Sequence, residues 1–406
     1  MSGFDILSVP AIAACAAAPL PGPAAAEWPE AVRDFSSPAE AIETAVLFPN
    51  SAGMQRRRLA AAIAIGDSGE ALAALRRIAG MGAVPSRAEL VKAEPLVGVR
   101  AIAQLAACFS ANAEPLARSL HYATVPAEHR LVDGLLFDPE RARLFATTAV
   151  SGRLAAVGDA RSSSEPLGSL LGGAYDPARR LFWVASAALG MSPAGEAGFV
   201  GLVSVDPDDL SQVSRIPAPL GAAPADVAVA RDGTVYASDG LSGAVYRCRP
   251  GCAALETWIA PGMLYSAQGL ALSGDQRLLY VADRRFGLAA VDRASGRVFR
   301  VEAGPDVMLD GIDGLVPLHG DLIATQTAYQ PQRIVRLRLS SDGLRVTRLD
   351  VLERANRAWG EVTLAVVAGY RLIYVADAQW ERWGPGGVPA GARPAGPTPI
   401  RSLALH

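Results

Sequence analysis

The sequence predicts a mainly β protein, a six-bladed β-propeller preceded by a small α-helical hairpin domain. Three observations predict it. Residues 268–283 read QGLALSGDQRLLYVAD, and the same plan returns at 225–239 as ADVAVARDGTVYASD and at 360–377 as GEVTLAVVAGYRLIYVAD. Six segments of this plan are anchored at Asp133, Gly172, Asp226, Gln268, Asp313 and Glu361, spaced 39, 54, 42, 45 and 48 residues apart. A propeller blade takes roughly 40–50 residues. Ahead of them, residues 38–118 place apolar side chains at helical spacing.

The bulk numbers set the frame. The chain has 406 residues, is 50% hydrophobic and 19% charged, and carries 38 basic against 40 acidic residues. It is long enough for a large core. With a formal net charge of −2 and no basic block, a nucleic-acid partner is not expected. Lys92 is the only lysine, which excludes a Walker A phosphate loop. No apolar run reaches the roughly 18 residues that span a bilayer.

The N-terminus has two readings. An apolar segment from Ile6 to Ala14 precedes Cys15 and a Pro/Ala-rich stretch. Ile12-Ala13-Ala14-Cys15 resembles a bacterial lipoprotein box, which makes Cys15 a lipidation candidate and implies a cleaved leader with a periplasmic or outer-envelope location. Against it, no Lys or Arg precedes the apolar run and Asp5 does. The other reading is an unstructured N-terminus on a cytoplasmic protein. Residues 1–37 are therefore assigned to a leader and tether.

The helical domain, 38–118, opens with SPAEAIETAV, where Glu40 follows Ser37 by three residues as in a capping box. Two Ala-rich helices then flank Gly66-Asp67-Ser68-Gly69, with Leu59 and Ile63 on one side and Leu72, Leu75 and Ile78 on the other. GDSG is read as a turn and cap, not as a protease nucleophile, because no β-barrel surrounds it. The rhythm resembles a tetratricopeptide-type repeat. Cys108 falls in a further helix and reads as a core residue.

The propeller, 119–406, follows. Each segment is strand, tight turn, strand, loop, strand. One blade cannot bury both faces of its sheet, and six in a ring can. Closing the ring needs a strand from 119–127 beside PTPIRSLAL. Asp239, Asp283 and Asp377 end the YVAD-like strands and are expected to hold the next loop through backbone amides. Cys248 and Cys252 in RCRPGC flank a Pro-Gly turn and are a disulfide candidate suited to an oxidising compartment.

The copies VDGLLFDP, QGLALSGDQRLLYVADRR and IDGLVPLHGDLIAT resemble the senescence-marker-protein/gluconolactonase/regucalcin family and its six-bladed relatives, the paraoxonase-like, strictosidine-synthase-like and NHL-repeat proteins. The resemblance covers about 121–406. It implies a divalent metal, usually calcium, at one mouth of the central channel, with Asp133, Asp226, Gln268 and Asp313 at the matching positions. Asp133 stands where the family tends to have Glu, and Gln268 where it has Asn. The resemblance to the paraoxonase-like enzymes adds His129, four residues before Asp133, as a catalytic candidate.

The residues themselves give a parallel reading. If each anchor starts an inner strand, Asp133, Asp226, Gln268, Asp313 and Glu361 face one axis, and Gly172 leaves a gap. Carboxylates this close repel one another unless protons or a cation neutralise them. An all-oxygen set suits Ca²⁺, and a water-filled polar channel is the alternative. A bound metal would polarise a carbonyl and acidify a water, with Asp313 or Glu361 as the base. Arg284 and Arg285 are candidates for holding an anionic substrate at the mouth, or belong to a solvated loop. His319 in the turn LHGD reads as exposed. Two functions follow: a metal-dependent hydrolase of a lactone or ester, or a non-catalytic propeller that binds a protein partner or small ligand. Any membrane attachment would run through Cys15.

Overall fold

The computed structural model describes residues 26–29, 34–163, 165–191 and 198–405. Cys15 and its lipoprotein-like box lie outside the described residues. Five helices come first: α1 (Pro38–Leu47), α2 (Ala52–Ile65), α3 (Ser68–Gly80), α4 (Arg87–Val97) and α5 (Val99–Ala113). Ser37 caps α1 by accepting the Glu40 N–H at 3.2 Å, but the Glu40 carboxylate reaches back one residue further than expected, to the Ser36 N–H at 2.6 Å. Gly66, at φ 75°, ends α2 in the left-handed conformation that glycine adopts without strain. Asp67 then caps α3 by accepting the Glu70 N–H at 2.9 Å. GDSG is thus a turn and a cap. Leu59, Leu75 and Ile78 are buried together with Phe109 and Cys108 of α5, and Cys108 is disulfide-bonded. Among the described residues no helix is long and apolar enough to cross a membrane.

Six sheets form the propeller, antiparallel except for the short strand Glu302–Ala303, which runs parallel to Arg345–Arg354 at the edge of the fifth. Their inner strands are Val132–Asp138, Ser169–Asp176, Pro224–Val229, Ala267–Leu272, Ile312–Leu318 and Ala365–Ala368. Each contacts the next, and the sixth contacts the first, so the ring is closed. Blades two to five carry an outer fourth strand beyond the three expected: Gln212–Pro217, Glu256–Ile259, Val298–Arg300 and Arg345–Arg354. In blade one the outer position is reduced to a single bridge between Ala155 and Ser162. Cys248 and Cys252 are bonded across the RCRPGC turn, with Cα atoms 5.5 Å apart.

The sixth blade is completed by the strand Leu120–Val125, which pairs antiparallel with Thr398–Ala404, from Leu120↔Ser402 to Val125↔Thr398. The residue before that strand is locked in place. Glu353, fully buried, accepts the Arg118 and Ser119 N–H groups at 3.1 Å, the Ser119 hydroxyl at 2.8 Å, the Asn356 amide at 2.6 Å and the Tyr374 hydroxyl at 2.9 Å. Arg401, on the partner strand, donates to the Ser119 hydroxyl and carbonyl at 2.8 and 2.6 Å.

The helical domain sits on the loops that lead into and out of blades four and five. Asp310 accepts the Ala52 and Gly53 N–H groups at 2.9 and 2.8 Å and the Ser51 hydroxyl at 2.9 Å, so a buried carboxylate meets the N-terminus of α2. Arg333, also buried, donates to the Met81 carbonyl at 3.0 Å and to Gln326 at 2.7 Å. Residues 26–29, assigned from sequence to the tether, lie along the edge of blade four. The Trp28 N–H donates to the Val298 carbonyl at 2.9 Å, and the buried indole packs on Phe48 with ring centroids 5.4 Å apart.

Glu353→Ala leaves several buried donors without an acceptor, each costing on the order of 1–3 kcal/mol. The expected outcome is a melting midpoint lower by several degrees, with Glu353→Gln intermediate because it keeps one carbonyl oxygen. A midpoint unchanged in Glu353→Ala would show that ring closure does not depend on this carboxylate.

Candidate functional site

At the end of the channel where the inner strands begin, a cavity of about 330 Å³ is lined by Asp133, Asp226, Gln268, Asp313 and Glu361, together with Arg284, Thr363 and Trp380. The sequence-predicted anchors therefore meet in one place. A common backbone device aims five of the six positions. The pairing of the inner strand with its neighbour slips between Val132 and Gly134, between Leu170 and Gly173, between Ala267 and Leu270, and between Ile312 and Gly314. Asp133, Gly172, Gln268 and Asp313 occupy these bulges, which turn a side chain out of the regular alternation. In the third blade the pairing runs from Ala237↔Val227 to Asp239↔Pro224, so Ala225 and Asp226 together oppose Ser238 and Asp226 occupies the same kind of bulge. Hydroxyls repair the broken ladder: Thr147 accepts the Gly134 N–H at 2.9 Å, Ser238 the Asp226 N–H at 3.0 Å, and Thr325 the Gly314 N–H at 2.8 Å.

Gly172 is the gap in the ring, and the structure gives its reason. A Cβ there would lie 2.2 Å from the Asp226 carboxylate, so this position must lack a side chain for Asp226 to reach the axis. Glu361 arrives differently. It lies ahead of the sixth inner strand, in the loop, and its carboxylate accepts the Trp380 N–H at 3.0 Å.

Burial sets the electrostatics. It pushes the Asp133 and Asp226 carboxyls up to about 7 and Asp313 up to about 6. Asp133 is raised further by Asp313, Glu361 and Asp226, against the Trp380 indole N–H that donates to it at 3.0 Å. Asp226 keeps some anionic character through the Leu270 N–H at 2.9 Å. For Asp313 the opposing group is Arg284, whose guanidinium pairs with one oxygen while Thr327 donates to the other. Glu361 is also raised, by burial first.

The other predicted residues stand elsewhere. Arg284 lines the mouth but faces Asp313, not an open anion site. Arg285 is not among the cavity-lining residues; its guanidinium stacks on Tyr265 at 3.3 Å from the ring centroid, because the tight turn after Asp283 sends consecutive side chains in opposite directions. His129 also lies outside the lining set, in a single 3₁₀ turn (Ala127–His129), half buried with its imidazole pushed toward the neutral form by burial. His319 is exposed in its turn. Asp239 holds the Leu241 and Ser242 N–H groups at 2.9 and 2.8 Å, and Asp283 those of Arg285 and Phe286 at 2.9 Å, as expected. Asp377 differs: it accepts the Glu361 N–H at 3.2 Å and pairs with Arg382 at 3.1 Å. Trp380 and Thr327 were not anticipated. Both lie in mouth loops without strand periodicity; the only signal was closeness in sequence to an anchor strand.

A calcium ion implied by the family resemblance does not fit this arrangement. Among the described residues, no three Asp, Glu, His or Cys side chains come together as a metal-binding group. Asp313 has both oxygens engaged, and Gln268 donates its amide to Ser266 at 2.8 Å. Beyond Asp226, the far half of the channel widens to about 590 Å³, with Leu135, Val227, Leu272 and Val366 on its wall together with Arg231 and Gln276.

Residues 208–248, from the outer strand of blade two through Asp226 to Cys248, match the family model described as strictosidine synthase-like, N-terminal. No curated protein matches the chain. Among solved structures, a gluconolactonase from Xanthomonas campestris is 18% identical over 72% of this chain and 98% of its own, with a TM-score of 0.47. Regucalcin from Agrobacterium tumefaciens, described as a calcium-binding protein, is 16% identical over 71% and 96%, also at 0.47. A PQQ-bound aldose sugar dehydrogenase from Streptomyces coelicolor is 16% identical over 71% and 99%, at 0.46. The strictosidine synthase-like model is among the six-bladed relatives that the blade motifs resemble.

Asp226 titrates near 7 in the fold and near 3.8 without it. The folded state thus holds the proton more tightly. Asp226 favours folding most below its unfolded pKa, and this contribution is lost as pH rises from about 4 through 7. Asp226→Asn, which cannot ionise and keeps an acceptor for Leu270, is expected to melt higher relative to the native chain at pH 8 than at pH 5. Melting curves at the two pH values check it; a difference independent of pH would refute the assignment.

Proposed function

We propose that the propeller mouth is a hydrolytic site for a small lactone or ester, driven by acid–base chemistry of its buried carboxyls. The observation that carries the proposal is the set of Asp133, Asp226 and Asp313, held at about 7, 7 and 6 around one cavity beside a guanidinium. A carboxyl poised near neutrality takes up and returns a proton at little cost. The likeness of the blade motifs to gluconolactonase-like sequences selects a cyclic or open ester among substrates for such a pair.

In this reading Arg284 donates an N–H to the carbonyl oxygen and stabilises the negative charge that grows there. Asp133, oriented by the Trp380 indole, accepts a proton from a water as the water oxygen bonds to the carbonyl carbon. The carbon–alkoxide bond then breaks, and the leaving oxygen takes that proton from the Asp133 carboxyl. Water is consumed and a hydroxy acid, or an acid and an alcohol, is released. A volume of about 330 Å³ suits a small molecule. The Cys248–Cys252 disulfide supports an exported protein.

A binding propeller without turnover is the second reading, favoured by the partners that already hold both oxygens of Asp313. A panel of aliphatic lactones and aryl esters assayed from pH 5 to 9 separates the two. Hydrolysis is expected, with kcat/KM rising to a plateau around a midpoint near 7 and falling about 100-fold or more in Asp133→Asn. Binding of these compounds with no turnover at any pH would leave the scaffold reading standing.

A further inference from the structure

We infer that the far half of the channel is a second ligand site, separate from the mouth, which takes a medium-chain aliphatic carboxylate with its chain inside the ring and its head group at Arg231. The inference rests on the shape and lining of this cavity and is independent of whether the mouth turns over.

Among their described lining residues the two cavities of the channel share only Asp226 and Leu364. These two side chains are the partition between them. Leu364 is seated in the ring because its neighbours lack side chains: a Cβ at Gly134 of blade one would lie 3.2 Å from it, and a Cβ at Gly314 of blade five 3.3 Å. Asp226 is held by the Leu270 N–H at 2.9 Å. The far cavity, of about 590 Å³, therefore has a floor. It opens where the inner strands finish, among the exposed turn residues Arg231, Gly274, Pro317 and Gly369.

Between floor and rim the wall keeps apolar surface accessible. Phe137, Val229, Val316 and Val366, from four different blades, line the cavity and are only half-buried, although they stand on the innermost strands of a closed ring. Such surface is what an aliphatic chain removes from water. The rim supplies the charge. Arg231 is the one cationic side chain among the described lining residues. Its guanidinium donates to the Gly274 carbonyl at 3.1 Å, and its backbone N–H to the Gln276 side-chain oxygen at 3.1 Å, so the cation is tied to the edge of the opening. The acids beside it in sequence and in the facing turn are engaged elsewhere: Asp232 pairs with Arg293 at 2.6 Å, and Asp275 accepts the Ser273 hydroxyl at 2.6 Å. An apolar pocket with a fixed cation at its rim selects an anionic head group on an apolar body. Asp226 and Arg231 mark floor and rim, five residues apart in one chain segment, which puts them roughly 15 Å apart at about 3.3 Å per residue. A chain of about ten carbons spans that depth, and a volume of about 590 Å³ lies within the range of small-molecule sites.

The test is binding of sodium octanoate, sodium decanoate and 1-octanol to the full-length chain, measured by titration calorimetry at pH 8. Decanoate is expected to bind once per chain and about tenfold more tightly than octanoate, at roughly three- to fourfold per buried methylene. Arg231→Gln is expected to weaken both carboxylates about tenfold and to leave 1-octanol unchanged. Val366→Trp, which fills the far cavity, should abolish binding in a chain that melts as the native one does. Leu241→Ser, on the mouth cavity, should leave decanoate affinity unchanged. No binding of decanoate by the native chain at millimolar concentration would overturn the inference, as would equal affinities for octanoate and decanoate. Undiminished decanoate binding in Arg231→Gln would overturn it too, and since that side chain is exposed, this variant decides the matter should Val366→Trp not fold. Loss of binding in Leu241→Ser would place the ligand at the mouth and overturn the inference as well.

Discussion

Closure of the ring is the constraint on which the rest of this molecule depends. An open stack of six sheets would expose two edges and leave half of two blades unburied. The chain closes the stack with residues 120–125, which lie between the helical domain and the first blade in sequence but complete the sixth blade in space. The carboxylate of Glu353 and the guanidinium of Arg401 fix the point where that strand begins. The helical domain is tied to the same event. Its last helix ends at Ala113, and the Leu116 N–H already bonds to the Arg354 carbonyl at 2.9 Å, so little free chain separates the domain from the closure strand.

Closure also explains why the carboxylates are so perturbed. Six inner strands that converge on one axis bring their first residues together whether or not those residues attract. Asp133, Asp226 and Asp313 are forced out of water by neighbouring blades, and the energetic consequence is their raised affinity for protons. The fold accommodates this with three devices. Bulges let the acidic side chains turn inward without breaking the strand behind them. Hydroxyls of Thr147, Ser238 and Thr325 satisfy the amides that the bulges or slips free. Gly172 yields its share of the axis to Asp226.

The blades were readable in the sequence because their signals are local. Alternating apolar residues, a Gly/Asp turn and a terminal Asp recur within about twenty residues, and each constrains the backbone directly. The five polar anchors were readable for the same reason, as each stands shortly before the turn of its own blade. The outer fourth strands were not, because strands such as Gln212–Pro217 have one wet face and a pattern close to that of a loop. Arg284 was visible as a mouth residue, but not its partner. Nothing local to the pair Arg284-Arg285 says that one side chain turns to Asp313 and the other to Tyr265. That choice is made by the turn that Asp283 imposes and by the blade next door. His129 differs for the opposite reason: four residues from Asp133 is close in sequence, but His129 ends a 3₁₀ turn, Arg130 and Leu131 follow it at φ 29° and 53°, and the imidazole is not among the residues lining the cavity.

The position of Arg284 finally links the two domains to the site. The turn at 283–286 and the segment at 308–311 are the two pieces of propeller that the N-terminus of α2 grips, through Ser51 on the first and Asp310 on the second. Arg284 springs from the first piece and Asp313 follows directly after the second. The ion pair at the mouth therefore spans the two segments that the helical domain holds together. Without the helical domain the propeller would lose Ala45, Phe48 and Met54 from the core they share with blades three and four, and with them the clamp on the segments that carry guanidinium and carboxylate. Among the described residues the helical domain contributes no side chain to the cavity lining, and it acts on the site through the backbone that carries Arg284, the one cationic side chain among the described lining residues.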